Sequence, residues 1–256
     1  MSSAATANLI DFASRSTTSG HFRCESNHRL FCSLSREVYD YAVRFSRVPS
    51  VLDLGAGDGH ATLEFLRLGC RVTAVDIVAR ELAKLRELCR DFESNLTTCV
   101  CDLERESIGG EFDIISASSM LHHIPDYVSL IRKLIPLLKP HGQFFSFQDP
   151  MYSEQMPVAH KIFSRLAYAS HRITQPDAFN GAWRYFRRLC GVYKADCVAD
   201  NSEYHCVRNG VDEQAILNLF QTGRIEHYFT TPFDTLQAFG EKVGIVNTFA
   251  IIARCS

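Results

Sequence analysis

No apolar run in this chain is long enough to span a bilayer. The opening Met1-Ser-Ser-Ala-Ala-Thr-Ala-Asn8 has neither the basic start nor the apolar core of a signal peptide, so a cytoplasmic protein is expected. An excess of charge of one sign is missing too. The net charge is −2 and the pI about 6.5, so no global field draws the chain to nucleic acid. None of the ten cysteines falls into a C-x-x-C pair. Cys190, Cys197, His205 and Cys206 are the one group that hints at a metal, but their spacings match no zinc motif. Reduced, mostly buried thiols and no metal site are expected, with Cys99 and Cys101 sharing one face of a strand. What remains is a chain that is 46% hydrophobic and 22% charged, ordinary for one large globular domain or a domain with an elaboration.

The informative stretch is Val51-Leu-Asp-Leu-Gly-Ala-Gly-Asp-Gly59. Twenty-one residues past Gly55, a second apolar run ends in an acid, Val72-Thr-Ala-Val-Asp76. Strand, glycine turn, helix, strand and terminal acid are the parts that hold a nucleoside cofactor at the edge of a parallel sheet. Gly55 lets the backbone turn sharply, and Gly57 and Gly59 lack the Cβ that would block a ligand. Asp76 stands where an acid accepts hydrogen bonds from ribose hydroxyls. In the dinucleotide fingerprint G-x-G-x-x-G the third glycine comes one residue later than it does here. Asp53 and Asp58 also crowd the turn. Carboxylates repel a pyrophosphate but attract an ammonium or a sulfonium, the two cations of S-adenosylmethionine.

Asp53-Leu-Gly55-Ala-Gly57-Asp-Gly59 resembles the first motif of the class I S-adenosylmethionine-dependent methyltransferases, (Asp/Glu)-x-Gly-x-Gly-x-Gly, at every position. The resemblance covers residues 49–150 strongly and 211–254 weakly. It implies an α/β, doubly wound, Rossmann-like seven-stranded sheet with the last strand antiparallel, plus an N-terminal helix and a helical lid insertion. The division expected is a helical cap over 1–48, a cofactor-binding core over 49–150, a lid over 151–210, and the rest of the core over 211–256.

The pattern along the chain agrees. Apolar residues from Leu30 to Phe45 recur at three- and four-residue steps, predicting a helix over 27–47. Strands are predicted at 50–54, 71–76, 96–101 and 112–117, with helices over 58–68 and 78–92 between the first three. Asp126 is placed to cap a helix that Pro136 ends early. Lys139-Pro-His-Gly142 reads as a turn before a fifth strand, Gln143–Phe147. Residues 151–210 break the series. It resumes with a helix from Asp212 to about Thr222, two strands near 224–230 and 246–253, and a helix over Leu236–Val243 between them.

By family position, Asp53, Gly55, Ala56 and Gly57 face the methionine part of the cofactor, and Asp76 with Ile77 take the ribose. Asp102 and Leu103 meet the adenine, Asp102 having a turn cap as its competing role. Ser118 and Ser119 run beneath the cofactor. The segment Ser119-Met-Leu-His122-His123-Ile-Pro-Asp126 resembles the Leu-His-His segment of small-molecule methyltransferases, among them UbiE-like and sugar O-methyltransferases. There a histidine can serve as base beside an acid after strand five, here Asp149. Either His122 or His123 fits, and the same pair recurs in carbon and nitrogen methyltransferases. Tyr204, His205 and Arg208 are candidate substrate contacts. Arg184, Arg187 and Arg188, beside Trp183 and Tyr185, read as a solvated face or as a site for an anionic partner.

The expected function is methyl transfer to a small-molecule hydroxyl, on a sugar, glycoside or natural product. The alternatives are nitrogen or carbon methylation of a small metabolite, or a non-catalytic partner subunit of the same fold. A homodimer is a possible assembly. Nucleic-acid methylation is disfavoured by charge and by the lack of an Asn-Pro-Pro-Tyr-type segment after strand four, and an NAD enzyme by the glycine spacing.

Overall fold

The computed structural model describes residues 24–173 and 210–255. Its centre is a seven-stranded sheet: β1 (Ser50–Leu54), β2 (Arg71–Asp76), β3 (Leu96–Val100), β4 (Phe112–Ser118), β5 (Leu138–Pro150), β6 (Thr222–Tyr228) and β7 (Thr248–Arg254). The strand order is β3-β2-β1-β4-β5-β7-β6. The first five strands are parallel, and β7 lies antiparallel between β5 and β6. This is the topology expected from the sequence. The helices are α1 (Glu25–Ala42), α2 (His60–Arg67), α3 (Ala79–Leu88), α4 (Tyr127–Leu134), α5 (Val158–Ile173), α6 (Glu213–Leu217) and α7 (Asp234–Lys242).

Two apolar layers sandwich the sheet. Along β1, Val51 packs into one and Leu52 and Leu54 into the other, so the strand is buried on both faces, as central parallel strands are. On the first layer α1 buries Phe31, Leu34, Val38 and Ala42, one helical stripe, with the ring of Phe31 against Phe145 and Phe147 of β5. Each such side chain contributes roughly 1.5–3 kcal/mol on leaving water. Polar ties fix the helix: Gln143 Nε2 donates to the Val38 carbonyl at 2.8 Å, and Arg224 pairs with Glu37. The second layer is built on Leu52, Leu54, Ile115, Phe144, Phe249 and Ile251, with Leu130, Ile131 and Leu134 of α4.

The boundaries differ from the sequence pattern in places, each for a local reason. α1 stops at Ala42, and Phe45, 52% exposed, instead stacks on His141 at 4.3 Å. α3 ends at Leu88 and the chain tightens into a 3-10 turn over Arg90–Asn95. α4 is capped by Asp126, whose carboxylate accepts from the Ser129 amide, and Pro136 follows its end in a short 3-10 turn. The expected turn Lys139–Gly142 is instead a register shift inside β5: Phe112 pairs Leu138, and Ile114 next pairs Gln143. α6 is one short turn, with Asp212 as its cap, rather than a helix reaching Thr222. β3 ends at Val100, so Cys99 is exposed while Cys101, past the strand, is buried; they do not share a face. Met151 and Val211 form a parallel bridge, bringing residues 151 and 211 side by side. Among the described residues no helix is long and apolar enough to cross a membrane.

Candidate functional site

The sheet order reverses between β1 and β4, and the carboxyl ends of β1 to β5 carry the predicted residues. Crevices at such reversal points are where open α/β sheets bind ligands. The glycine turn leaves β1 with φ of +61° at Gly55, +53° at Gly57 and +93° at Gly59. The three glycines serve different needs. A Cβ on Gly55 would lie 2.5 Å from Met120 Cγ, and one on Gly59 2.6 Å from Leu85 Cγ. At Gly57 the nearest atom would be 3.9 Å away. Gly57 therefore keeps space open, whereas Gly59 packs against α3; this corrects the expectation that Gly59 clears the ligand. Ala56 donates its amide to the Val75 carbonyl at 3.0 Å, tying the turn to β2.

Asp76 closes that tie. Its Oδ2 accepts from the Gly57 amide at 2.9 Å and its Oδ1 from the Val78 amide at 2.8 Å, with half-buried Ile77 between. Burial pushes its carboxyl above the usual range, against those two amides. Each oxygen retains a lone pair for a further donor. Asp53 is 1% exposed and accepts from the Thr62 hydroxyl of α2 at 2.6 Å. Burial pushes its carboxyl up to about 6, opposed by the hydroxyls of Thr62 and Ser116 and reinforced by the charge of Asp76. Its Oδ1 has no hydrogen-bond partner among the described residues.

Asp102 follows β3. Its Oδ1 accepts from the Glu104 amide at 3.1 Å, so the turn-cap role is present. Its Oδ2 is buried without a hydrogen-bond partner among the described residues, 3.9 Å from Arg105 Nε. Leu103 is buried in the second apolar layer. At the end of β4, the buried Ser118 hydroxyl also lacks a partner among the described residues. Ser119 has φ of +52° and donates its amide to the Phe147 carbonyl at 2.7 Å.

The chain then makes a 3-10 turn over Leu121–His123. Of the two histidines, His122 meets Asp149: Nδ1 lies 2.8 Å from Oδ1, and the His122 amide donates to the same oxygen at 3.1 Å. Asp149 is 0% exposed, and its Oδ2 accepts from the Ser146 hydroxyl at 3.4 Å. The His123 ring sits 4.0 Å from that of His122, centroid to centroid. With Nδ1–H donated to the carboxylate, Nε2 of His122 carries the ring's lone pair. Tyr204, His205 and Arg208 lie outside the described residues, as do Arg184, Arg187, Arg188 and Cys190, Cys197 and Cys206.

Three participants were not foreseen. Thr62 holds Asp53, and a hydroxyl on the first turn of α2 was the available signal. Met120 wedges against Gly55. Tyr228, at the end of β6, stacks on Phe147 at 5.1 Å; burial, with the charge of Asp149 adding to it, raises its hydroxyl well above the ordinary value.

Residues 51–142 match the family described as "Methyltransferase domain". The chain is similar to the ubiquinone biosynthesis O-methyltransferase of Xanthomonas axonopodis pv. citri (strain 306). The two are 40% identical over 100 residues, which is 37% of this chain and 41% of that protein. It is also similar to the protein of the same name from Xanthomonas campestris pv. campestris (strain B100), 38% identical over 113 residues, or 41% and 46% of the two chains. The chain thus spans less than half the length of the curated relatives it matches. Among solved structures, N-methyltransferase NodS from Bradyrhizobium japonicum WM9, in complex with S-adenosyl-l-homocysteine, aligns with TM-score 0.54 at 13% identity, over 97% of this chain and 98% of that one. Magnesium protoporphyrin IX methyltransferase from Synechocystis PCC 6803, with the same compound bound, gives TM-score 0.54 at 13% identity, over 97% and 93%. The fold is that of these methyltransferase structures, and residues 51–142 of this chain match a methyltransferase domain.

Proposed function

We propose that this chain binds S-adenosylmethionine and transfers its methyl group to a hydroxyl of a small molecule, with His122 as the base. The observation that carries the reading is the His122–Asp149 pair, which stands at the same strand ends as the glycine turn. The donor fits the residues present. Gly57 leaves a cradle that a Cβ would fill, Asp76 keeps lone pairs for ribose hydroxyls, and Asp102 Oδ2 is an unused acceptor for an amino group. Asp53 and Asp76 favour a cationic ligand. When bound, S-adenosylmethionine supplies a methyl group on a positively charged sulfur.

The chain's own residues do the rest. Asp149 fixes the tautomer and orientation of His122. His122 Nε2 accepts the proton of an acceptor hydroxyl as that oxygen becomes a nucleophile. The curated relatives are O-methyltransferases by name, which favours oxygen as the acceptor atom. Sugars, glycosides and hydroxylated natural products are the acceptor classes we propose.

The test is transfer of labelled methyl from S-adenosylmethionine to a panel of phenols, sugars and amines. The reading predicts methylated hydroxyls, and their loss in His122→Asn with donor binding intact. Turnover of amines alone, or full hydroxyl methylation by His122→Asn, overturns it.

A further inference from the structure

We propose that Gln148 is a positioning residue whose left-handed backbone, not its side chain, turns Asp149 onto the face of the sheet where it meets His122. The proposal deepens the reading of His122 as base and rests on it for its catalytic consequence.

Side chains alternate along a strand. Phe145 and Phe147 of β5 both lie in the layer under α1, and Phe144 lies in the opposite layer. Continued alternation would place Asp149 with Phe147, beside Phe31, on the wrong face to reach His122. The pairing with β7 shows what intervenes. Phe147 pairs Ala250, and Asp149 pairs the adjacent Phe249, so Gln148 and Asp149 together oppose one residue. Ala250 belongs to the first layer and Phe249 to the second. One extra residue has carried Asp149 across the sheet, where Ser146 and His122 hydrogen-bond it.

The extra residue has φ of +67°, a conformation that favours glycine and that a bulge of this kind uses to re-aim the strand. The opposing strand end has a similar device: Ser119, at φ +52°, donates its amide to the Phe147 carbonyl just before the bulge. Of the three non-glycine residues with positive φ among the described residues, two stand at the two strand ends that carry the pair.

The experiment is a substitution series on the full chain: Gln148→Gly, Gln148→Asn, Gln148→Ala and Gln148→Val. Each is read by the ring-proton signal of the His122 imidazole in nitrogen-15-labelled protein, assigned with His122→Asn, and by kcat and KM for the methyl donor. Glycine and asparagine, which adopt positive φ readily, keep the wild-type signal and pH profile. Valine, which does not, loses the hydrogen-bonded signal and lowers kcat about tenfold or more, with KM for the donor within about twofold. If the valine variant does not fold, the alanine variant decides: it lacks the side chain but carries the same Cβ as glutamine, so it keeps the wild-type signal and kcat, and an impaired alanine variant overturns the proposal. A folded valine variant with wild-type signal and kcat overturns the proposal. So does a glycine variant as impaired as valine, because the side chain would then be what matters. If His122→Asn keeps full kcat while the signal still follows the series, the base reading fails and the positioning role stands.

Discussion

The two ends of the same sheet treat their carboxylates in opposite ways. At the amino end of β4, Asp113 is closed by a cation: Lys139 Nζ donates at 2.7 Å, and the Ser50 amide and hydroxyl donate at 2.7 and 2.8 Å. Burial raises its carboxyl, but Lys139 and Ser50 outweigh that and hold it below the usual range. At the carboxyl ends of β1 and β2, Asp53 and Asp76 meet, among the described residues, only hydroxyls and backbone amides, and burial leaves both above the usual range. A buried carboxylate in a structural role is paired with a positive charge. A buried and a half-buried carboxylate without one are poised for a charge that arrives with a ligand. The difference separates structure from site more clearly than burial does, since Asp113 and Asp53 are both buried.

If that contrast is right, substitutions at the two ends have different signatures. The largest effect is expected from Asp76→Ala, which removes the acceptor for ribose and the tie to Gly57. Affinity for S-adenosylmethionine should fall about 100-fold or more by calorimetry, with Asp76→Asn intermediate. Next, His122→Asn should lower kcat by about 100- to 1000-fold while leaving donor affinity unchanged, measured by single-turnover methyl transfer. Asp113→Ala should do the reverse. Urea unfolding should show a loss of about 1–3 kcal/mol from the unpaired Lys139 and Ser50 groups, with cofactor affinity intact.

The glycine turn sharpens the same comparison within a few residues. Gly59→Ala should cost about 2–4 kcal/mol of stability, because its Cβ meets Leu85 as well as adopting positive φ. Gly57→Ala should cost about 1 kcal/mol. Its main effect should be on cofactor affinity, measured by the same calorimetry. The smallest effect concerns pH. Asp53 is raised to about 6 in the folded protein against an ordinary 3.8. Its contribution to stability is present below pH 4 and is lost as pH rises through 6. A cationic ligand prefers the ionised form, so affinity should rise over the same interval. Asp53→Asn should flatten both trends.

Much of this was legible before the structure. The alternation of apolar runs and glycine turns placed the seven strands, and the central parallel ones read most clearly because a βα unit buries its strand on both faces and leaves an uninterrupted apolar signature. Asp53, Asp76 and the glycines were readable because their spacing is the geometry itself. The departures are places where one residue changes the count. Alternation puts Phe147 and Asp149 on one face; the bulge at Gln148 separates them, and nothing in Phe-Gln-Asp announces it. The same holds for Lys139–Gly142, which looks like a turn and lies inside a strand. Which histidine meets Asp149 depends on the 3-10 turn after Ser119, a conformation with no period to read. Tyr228 reaches the neighbourhood only through the pairing of β6 with β7, nearly eighty residues away in the chain.

The most direct test is a calorimetric titration of wild-type protein, Asp76→Ala and Asp113→Ala with S-adenosylmethionine, S-adenosylhomocysteine and NAD. The account predicts micromolar binding of both adenosyl compounds to wild type and to Asp113→Ala, its loss in Asp76→Ala, and no binding of NAD. Binding of NAD alone, or equal loss in the two aspartate variants, would contradict it.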